Sequence, residues 1–321
     1  MQVLAATQSL YSDEKFAAWA KAKANTPVRW AASHRVAQSC TDTGTTTGVH
    51  DDECAFAVRQ TVATPTSVVT GLTVIVNGSG DPPLKVDSDE SYAMTITPTG
   101  ATIEATTQWG AIRALETFAQ TVYCLPSASA AVAARAGATA TAPCVYTIRN
   151  LPLTINDSPR FKWRGVMIDT ARHFIGTPSL KRVIDGMSMN KMNMLHWHAT
   201  DDTSWSIESA QYPNFTKLGA YSQKQFYSVA TIAELKKYAE ERGVILYPEF
   251  DLPGHAQIWS HTYPKYTDPT CNGIDVTGLP GHDIYQVLTN LATELGGDAI
   301  HFGGDEFNPG SWCVRCNLAR L

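Results

Sequence analysis

From Pro159 onward the chain alternates short, nearly unbroken apolar runs with longer segments whose apolar residues recur every three or four positions. The runs "WRGVMIDTARHF", "MNMLHWHATDD", "GVILYPEFDLPGHA" and "AIHFGGDEF" read as strands. The segments "SLKRVIDGMSMNK", "TIAELKKYAEER" and "DIYQVLTNLATELG" read as helices. Strands alternating with helices of this length form βα units around a parallel sheet. Strands that are apolar throughout have both faces covered. Thr177, Pro178 and Ser179 signal the first helix start, and Thr231, with Glu234 three residues on, reads as a capping box for the second.

Upstream the grammar differs. "SVVTGLTVIV" and "ESYAMTITP" are short β-type runs, and in "QWGAIRALETFAQTVY" Trp109, Ile112, Leu115, Phe118, Ala119 and Val122 mark one helical face. Residues 1 to about 30 look helical and polar, and the Ala/Ser/Thr-rich tract Ser127–Ala142 reads as an exposed loop. The expected division is an N-terminal region, 1–157, containing a small α+β domain, and a second domain, 158–321.

With 44% apolar and 17% charged residues the 321-residue chain has ordinary globular composition, and a net charge of −5 gives no electrostatic case for nucleic acid or an anionic membrane. No apolar run reaches the roughly 20 residues that span a bilayer. The seven cysteines and the sequons at Asn77, Asn156 and Asn214 point to a secreted or lysosomal/vacuolar glycoprotein. "VLAA" is too short for a signal peptide, so the expectation is a sequence that begins downstream of its natural start. Cys124 and Cys144 bracket the low-complexity tract and are expected to close it; Cys271 is expected to pair with Cys313 or Cys316, and Cys40 with Cys54.

Every strand of the second domain ends in ionisable residues: Asp169 and Arg172; His198, Asp201 and Asp202; Glu249, Asp251 and His255; Asp305 and Glu306. A (β/α)₈ barrel assembles its active site at such strand ends. Gly303 and Gly304 leave the backbone free to aim the adjacent carboxylates at the barrel mouth. Paired acids suit glycoside hydrolysis, but an ordinary double displacement sets its two carboxyls on either side of the scissile bond, about 5–5.5 Å apart. Neighbours in sequence start ~3.8 Å apart at Cα and diverge. The nucleophile is therefore expected to come from elsewhere.

The motifs "RGVMIDTARHF", "NKMNMLHWHATDDTSWSIES", "EFDLPGHA" and "HFGGDEF", with "TQWGAIRALETFAQTVY" and "INDSPRFKWRG" upstream, resemble the β-N-acetylhexosaminidases of glycoside hydrolase family 20. The resemblance covers roughly residues 85–316. It implies an α/β chain whose (β/α)₈ barrel is present for about its first four units. The implied reaction removes terminal β-linked N-acetylglucosamine or N-acetylgalactosamine with retention, the substrate's own acetamido oxygen serving as nucleophile. By motif, Glu306 resembles the general acid, expected to keep its proton through burial and nearby negative charge. Asp305 resembles the residue that orients the acetamido group. Arg172 and Asp201 resemble the grip on sugar hydroxyls, and His255, with Asp251 and His198, the supporting network. The resemblance implies no cofactor and no metal, a glycan partner with a terminal N-acetylhexosamine, and a homodimer for the complete protein. The half of the barrel beyond Leu321 would carry the aromatic walls of the sugar pocket, so an inactive fragment or glycan-binding remnant stays open as an alternative. So does a metal-dependent barrel hydrolase: His196 and His198 share a strand face and need a third ligand such as His255 or Asp305.

Overall fold

The computed structural model describes residues 67–78, 80, 82–126, 144–268, 273–274, 284–295, 299–304 and 306. It has two compact units: Met1–Asp81 with Asp89–Ser158, and Pro82–Ser88 with Pro159–Leu321. The sequence expectations for residues 1–30, for the tract after Pro126, for Cys40, Cys54, Cys271, Cys313 and Cys316, and for Asp305 fall outside the described residues.

In the first unit β1 (Leu72–Val76), β2 (Tyr92–Ile96), β3 (Ala101–Ala105) and, after a helix and a hairpin, β6 (Leu153–Asp157) form one sheet in the order β1-β3-β2-β6. The alternating burial of Leu72, Val74, Met94, Ile96, Ala101 and Ile103 gives the sheet one covered face. Helix α1 (Gln108–Thr121) packs on it and buries Trp109, Ile112, Leu115 and Phe118, while Ala119 is exposed. Thr107 caps this helix by accepting the Gly110 N–H. Arg113 Nε and Glu90 Oε1, both buried, pair at 2.6 Å. The hairpin β4 (Tyr123–Pro126) and β5 (Cys144–Thr147) sets Cys124 opposite Tyr146 and Cys144 opposite Pro126, two residues out of register with each other.

The second unit carries the expected βα grammar. Strands β7 (Gly165–Asp169), β8 (Met194–Asp201) and β10 (Ile245–Phe250) are parallel and ordered β10-β8-β7, with the two-residue β9 (Ser204–Trp205) folded back on β8. Helices α2 (Thr177–Met189), α4 (Val229–Glu240) and α6 (Ile284–Leu295) follow the strands. Two short helices, α3 (Pro213–Gly219) and α5 (Gln257–Thr262), follow β9 and β10. They stand there because Trp205, Phe215 and Trp259 form a buried cluster, Trp205 stacking on Phe215 with centroids 3.8 Å apart.

Two caps differ from expectation. Ser228, not Thr231, caps α4, accepting the Thr231 N–H, and α2 starts after Gly176 without a side-chain cap. The fourth strand shrinks to a short ladder beside β10. His301 N–H donates to Pro248 O, Phe250 N–H to His301 O and Leu252 N–H to Phe302 O.

One face of the sheet, with Val166, Ile168, Leu195, Trp197 and Leu246, packs on the helices. The other carries Met167, His196, His198, Tyr247 and Glu249; there Met167 is 57% exposed, while His198 and Glu249 are buried. Among the described residues β7 is paired along one edge alone. An unpaired strand edge with an exposed apolar side chain such as Met167 beside it favours association. Expressed as these 321 residues, the protein is expected to form dimers or larger species in light-scattering measurements. A monodisperse, cooperatively melting monomer would contradict this.

Candidate active site

Asp169, His198 and Glu249 are register partners across β7, β8 and β10, so one row of polar groups crosses three apolar strands near their C-terminal ends. After this row each strand turns into the loop that carries the next functional group. Asp169 Oδ1 accepts the backbone N–H of Ala171 at 2.9 Å and of Arg172 at 3.0 Å, a local turn that brings the Arg172 side chain back over the strand ends. There its guanidinium reaches Asp169 Oδ2 at 2.8 Å and Asp201 Oδ2 at 2.6 Å. The Tyr221 hydroxyl, 2.8 Å from Ala171 O and Arg172 O, ties down the same turn.

Asp201 is the hub of the next layer. Its Oδ2 meets Arg172, His198 Nε2 at 3.2 Å and His255 Nδ1 at 3.6 Å, while its Oδ1 accepts the Asp202 N–H. Asp202 in turn accepts the Gln257 N–H at the start of α5, locking the loop that holds His255. His255 Nε2 lies 3.2 Å from Glu306 Oε2. Both His255 (φ +50°) and Glu306 (φ +49°) sit in the left-handed region, uncommon for residues with side chains. The structure therefore joins Arg172, Asp201, His198, His255 and Glu306 into one chain of contacts.

Three features differ from the sequence expectation or go beyond it. Glu306 is not buried: its side chain is 81% exposed, with His255 Nε2 as its near neighbour at 3.2 Å. Asp251 is buried, and its Oδ1 accepts the Gly304 N–H at 2.9 Å, so it supports the glycine turn directly. Glu249, one of the strand-end acids, binds His196 Nε2 at 2.6 Å and His198 Nδ1 at 2.7 Å through Oε2 and stands 3.0 Å from His301 Nδ1 through Oε1. Its signal was present in "PEFD": Glu249 is an acid inside the apolar run of β10, two residues before Asp251 in the loop that follows.

Burial opposes charge on Glu249, but the bond and charge of His198, and those of His196, hold its carboxyl down at about 2. Burial likewise opposes charge on His198, which the Glu249 bond and charge, then Asp201 and Asp169, push up to about 9. Burial also works against the charge of Asp169, and the Arg172 backbone and side-chain bonds hold it below the usual carboxylate range.

Among the described residues three groups of side chains bring ligand-type atoms together: His196, Glu249 and His301; His198, Asp201 and Asp251; and Asp201, Asp202 and His255. Tetrahedral zinc would space its ligand atoms about 3.3 Å apart. His196 and His198 instead contact one oxygen of Glu249 at 2.6 and 2.7 Å, the spacing of charge-assisted hydrogen bonds. The shared strand face of these two histidines is thus used on a carboxylate, while His255 faces Asp201 and Glu306.

The sequence profile of the glycosyl hydrolase family 20 catalytic domain matches residues 161–319, and a beta-acetyl hexosaminidase-like profile matches residues 4–121. The chain belongs to glycoside hydrolase family 20. In that family's terms β7, β8 and β10 are strands of the (β/α)₈ barrel, and the chain holds part of it. Beta-hexosaminidase 1 of Arabidopsis thaliana is 34% identical over 257 residues, 76% of this chain and 44% of the relative. The Flavobacterium johnsoniae chitobiase structure superposes with a TM-score of 0.61 at 29% identity, covering 78% of this chain and 36% of that one. An exo-β-N-acetylglucosaminidase from Vibrio harveyi, solved with N-acetylglucosamine, gives 0.58 at 25% identity, covering 75% and 39%. The chain thus spans less than half the length of each of these relatives.

Proposed function

We propose that this chain is the acid-bearing part of a β-N-acetylhexosaminidase that removes terminal, non-reducing N-acetylglucosamine or N-acetylgalactosamine from glycans with retention. The observation that carries the reading is the continuous contact chain Arg172–Asp201–His255–Glu306 at the strand ends of a family 20 fold. Glu306, exposed at the mouth, protonates the glycosidic oxygen as the leaving group departs. His255, between Asp201 and Glu306, orients that carboxyl and stabilises it once it has lost its proton. The side chain of Arg172 is 44% exposed, and the guanidinium's fixed fork of donors, braced by Asp169 and Asp201, suits a pair of neighbouring hydroxyls. Asp305 holds the acetamido N–H and counters the positive charge that develops as the acetamido oxygen attacks C1.

The named relatives and the N-acetylglucosamine complex support the substrate class. No helix among the described residues is long and apolar enough to cross a membrane. The sequons, with Asn77 and Asn156 exposed, and the cysteine content support a secreted or lysosomal/vacuolar glycoprotein, and the family resemblance supports a homodimer for the complete protein.

Progressive fluorination of the substrate's acetamido methyl tests the mechanism in a chain carrying all eight βα units. Each fluorine draws electron density from the internal nucleophile, so kcat/KM should fall stepwise. A flat series, or a covalent sugar adduct on Asp305, would transfer the nucleophile's role to the protein.

A further inference from the structure

We infer that Glu249 is a positioning residue for the sugar-gripping pair Arg172 and Asp201, acting on them through His198. The word "gripping" rests on the proposed function; the geometry does not. Glu249 is buried and contacts neither Arg172 nor Asp201 in the bonds described above. It sits at the last paired position of β10 before the register shift at Glu249/Phe250, directly opposite His198 on β8. Two histidines, His196 and His198, bind its Oε2, and His301 faces its Oε1, so the carboxylate is held from two sides and cannot rotate away from the His198 ring.

That grip fixes what the far side of the ring does. With Nδ1 committed to Glu249, His198 Nε2 points between Asp201 Oδ2 at 3.2 Å and Arg172 Nη1 at 3.1 Å. An imidazole nitrogen donates when protonated and accepts when it is not, so these two contacts are alternatives. If Nε2 carries a proton it donates to Asp201, and Arg172 is left to Asp169 and Asp201. If it does not, it competes for an Arg172 N–H and Asp201 loses a donor.

The groups facing His198 decide between them: Asp169 and Arg172 from the end of β7, Asp201 from its own strand, and Glu249 and Asp251 from β10 and the loop after it. Four carboxylates against one guanidinium favour the imidazolium, and Glu249 is the member in direct contact with Nδ1. The folded His198 is raised above its ordinary 6.5 to about 9. The arrangement is therefore fully favoured below about 6.5 and is lost as pH rises through about 9. Removing the Glu249 charge moves that loss toward neutrality.

The experiment is ¹⁵N NMR of histidine-labelled protein, residues 1–321, with His198 assigned by loss of its signals in His198→Asn. In the wild type both ring nitrogens should stay protonated from pH 6 to pH 8. In Glu249→Gln the midpoint should fall by about two pH units, toward the ordinary histidine value. On the same samples, N-acetylglucosamine affinity at pH 8 should drop about tenfold in the variant and recover at pH 5.5, where the imidazole regains its proton. A purely structural defect would not be rescued by acid. His301→Asn, which keeps the carboxylate's charge, should leave the His198 midpoint above pH 8.

A wild-type midpoint below pH 7, an unchanged midpoint in Glu249→Gln, or an affinity loss that acid does not restore would each overturn the inference. If Glu249→Gln does not fold, the wild-type titration and His301→Asn decide. If residues 1–321 bind no N-acetylglucosamine, the affinity measurement is made on a chain carrying all eight βα units, where failure to bind would count against the functional reading, and the His198 titration still judges the Glu249–His198 coupling.

Discussion

Glu306→Gln, introduced into a chain carrying all eight βα units, is expected to lower kcat/KM for natural glycosides by about 10³-fold, within the range of general acid contributions. Aryl glycosides whose phenols are strongly acidic should lose far less, because such groups depart with little protonation. The amide keeps the size of the carboxyl and its place 3.2 Å from His255 Nε2, so the loss reports the proton rather than a collapsed site. Asp305→Asn should behave differently. On the proposed mechanism it would weaken the hold on the acetamido group, whose attack on C1 would be needed whatever leaves, so both substrate types should slow together. Kinetics on a leaving-group series read the contrast directly. A uniform loss in Glu306→Gln, or a leaving-group-dependent loss in Asp305→Asn, would reverse the two assignments.

The parts of this site that were legible in the sequence are those where a charged residue interrupts an apolar run. Asp201 after "MLHWHAT", Arg172 after "VMIDTA" and His255 after "FDLPG" stand out because a covered strand has no other reason to end that way. Glu249, His196 and His301 were harder to assign because they lie within or beside strands. Linear sequence does not show that three histidines converge on one carboxylate; that convergence depends on the register Asp169–His198–Glu249 and on the His301 bridge.

The helix termini show a related limit. Ser228 and Thr231 are both good caps, and the choice of Ser228 follows from where the chain leaves the bond between Tyr227 N–H and Ser206 O. The short helices α3 and α5 carry too few turns to show a period, and aromatic packing around Trp205 fixes them. Exposure of Glu306 was equally beyond reach, since it depends on how the chain turns at Gly303 and Gly304.

That turn supports the second large effect, expected for Gly303→Ala. Gly303 has φ +68°, and a Cβ added there would lie 1.7 Å from Asp251 Oδ1, 2.3 Å from its Cγ and 2.9 Å from its Cα. The obstacle is not the loose end of a side chain. Asp251 is 1% exposed, and its Oδ1 accepts the Gly304 N–H at 2.9 Å, so moving it breaks the bond that shapes the turn. The ladder from Phe302 O to Leu252 N–H holds the backbone on the other side at 2.8 Å.

Overpacking and left-handed strain together should cost about 3 kcal/mol or more, seen as a lower midpoint in denaturant unfolding. The displaced Glu306 should no longer meet His255. Gly304→Ala supplies the comparison. Its φ of +106° is also unfavourable for alanine, but the nearest atom to its Cβ is Leu252 O at 4.0 Å, so it brings strain without a clash. Gly303→Ala should therefore be clearly the more damaging of the two. Equal losses at the two positions would mean that backbone strain alone accounts for the glycine pair, and that the close approach of Asp251 is not what requires Gly303.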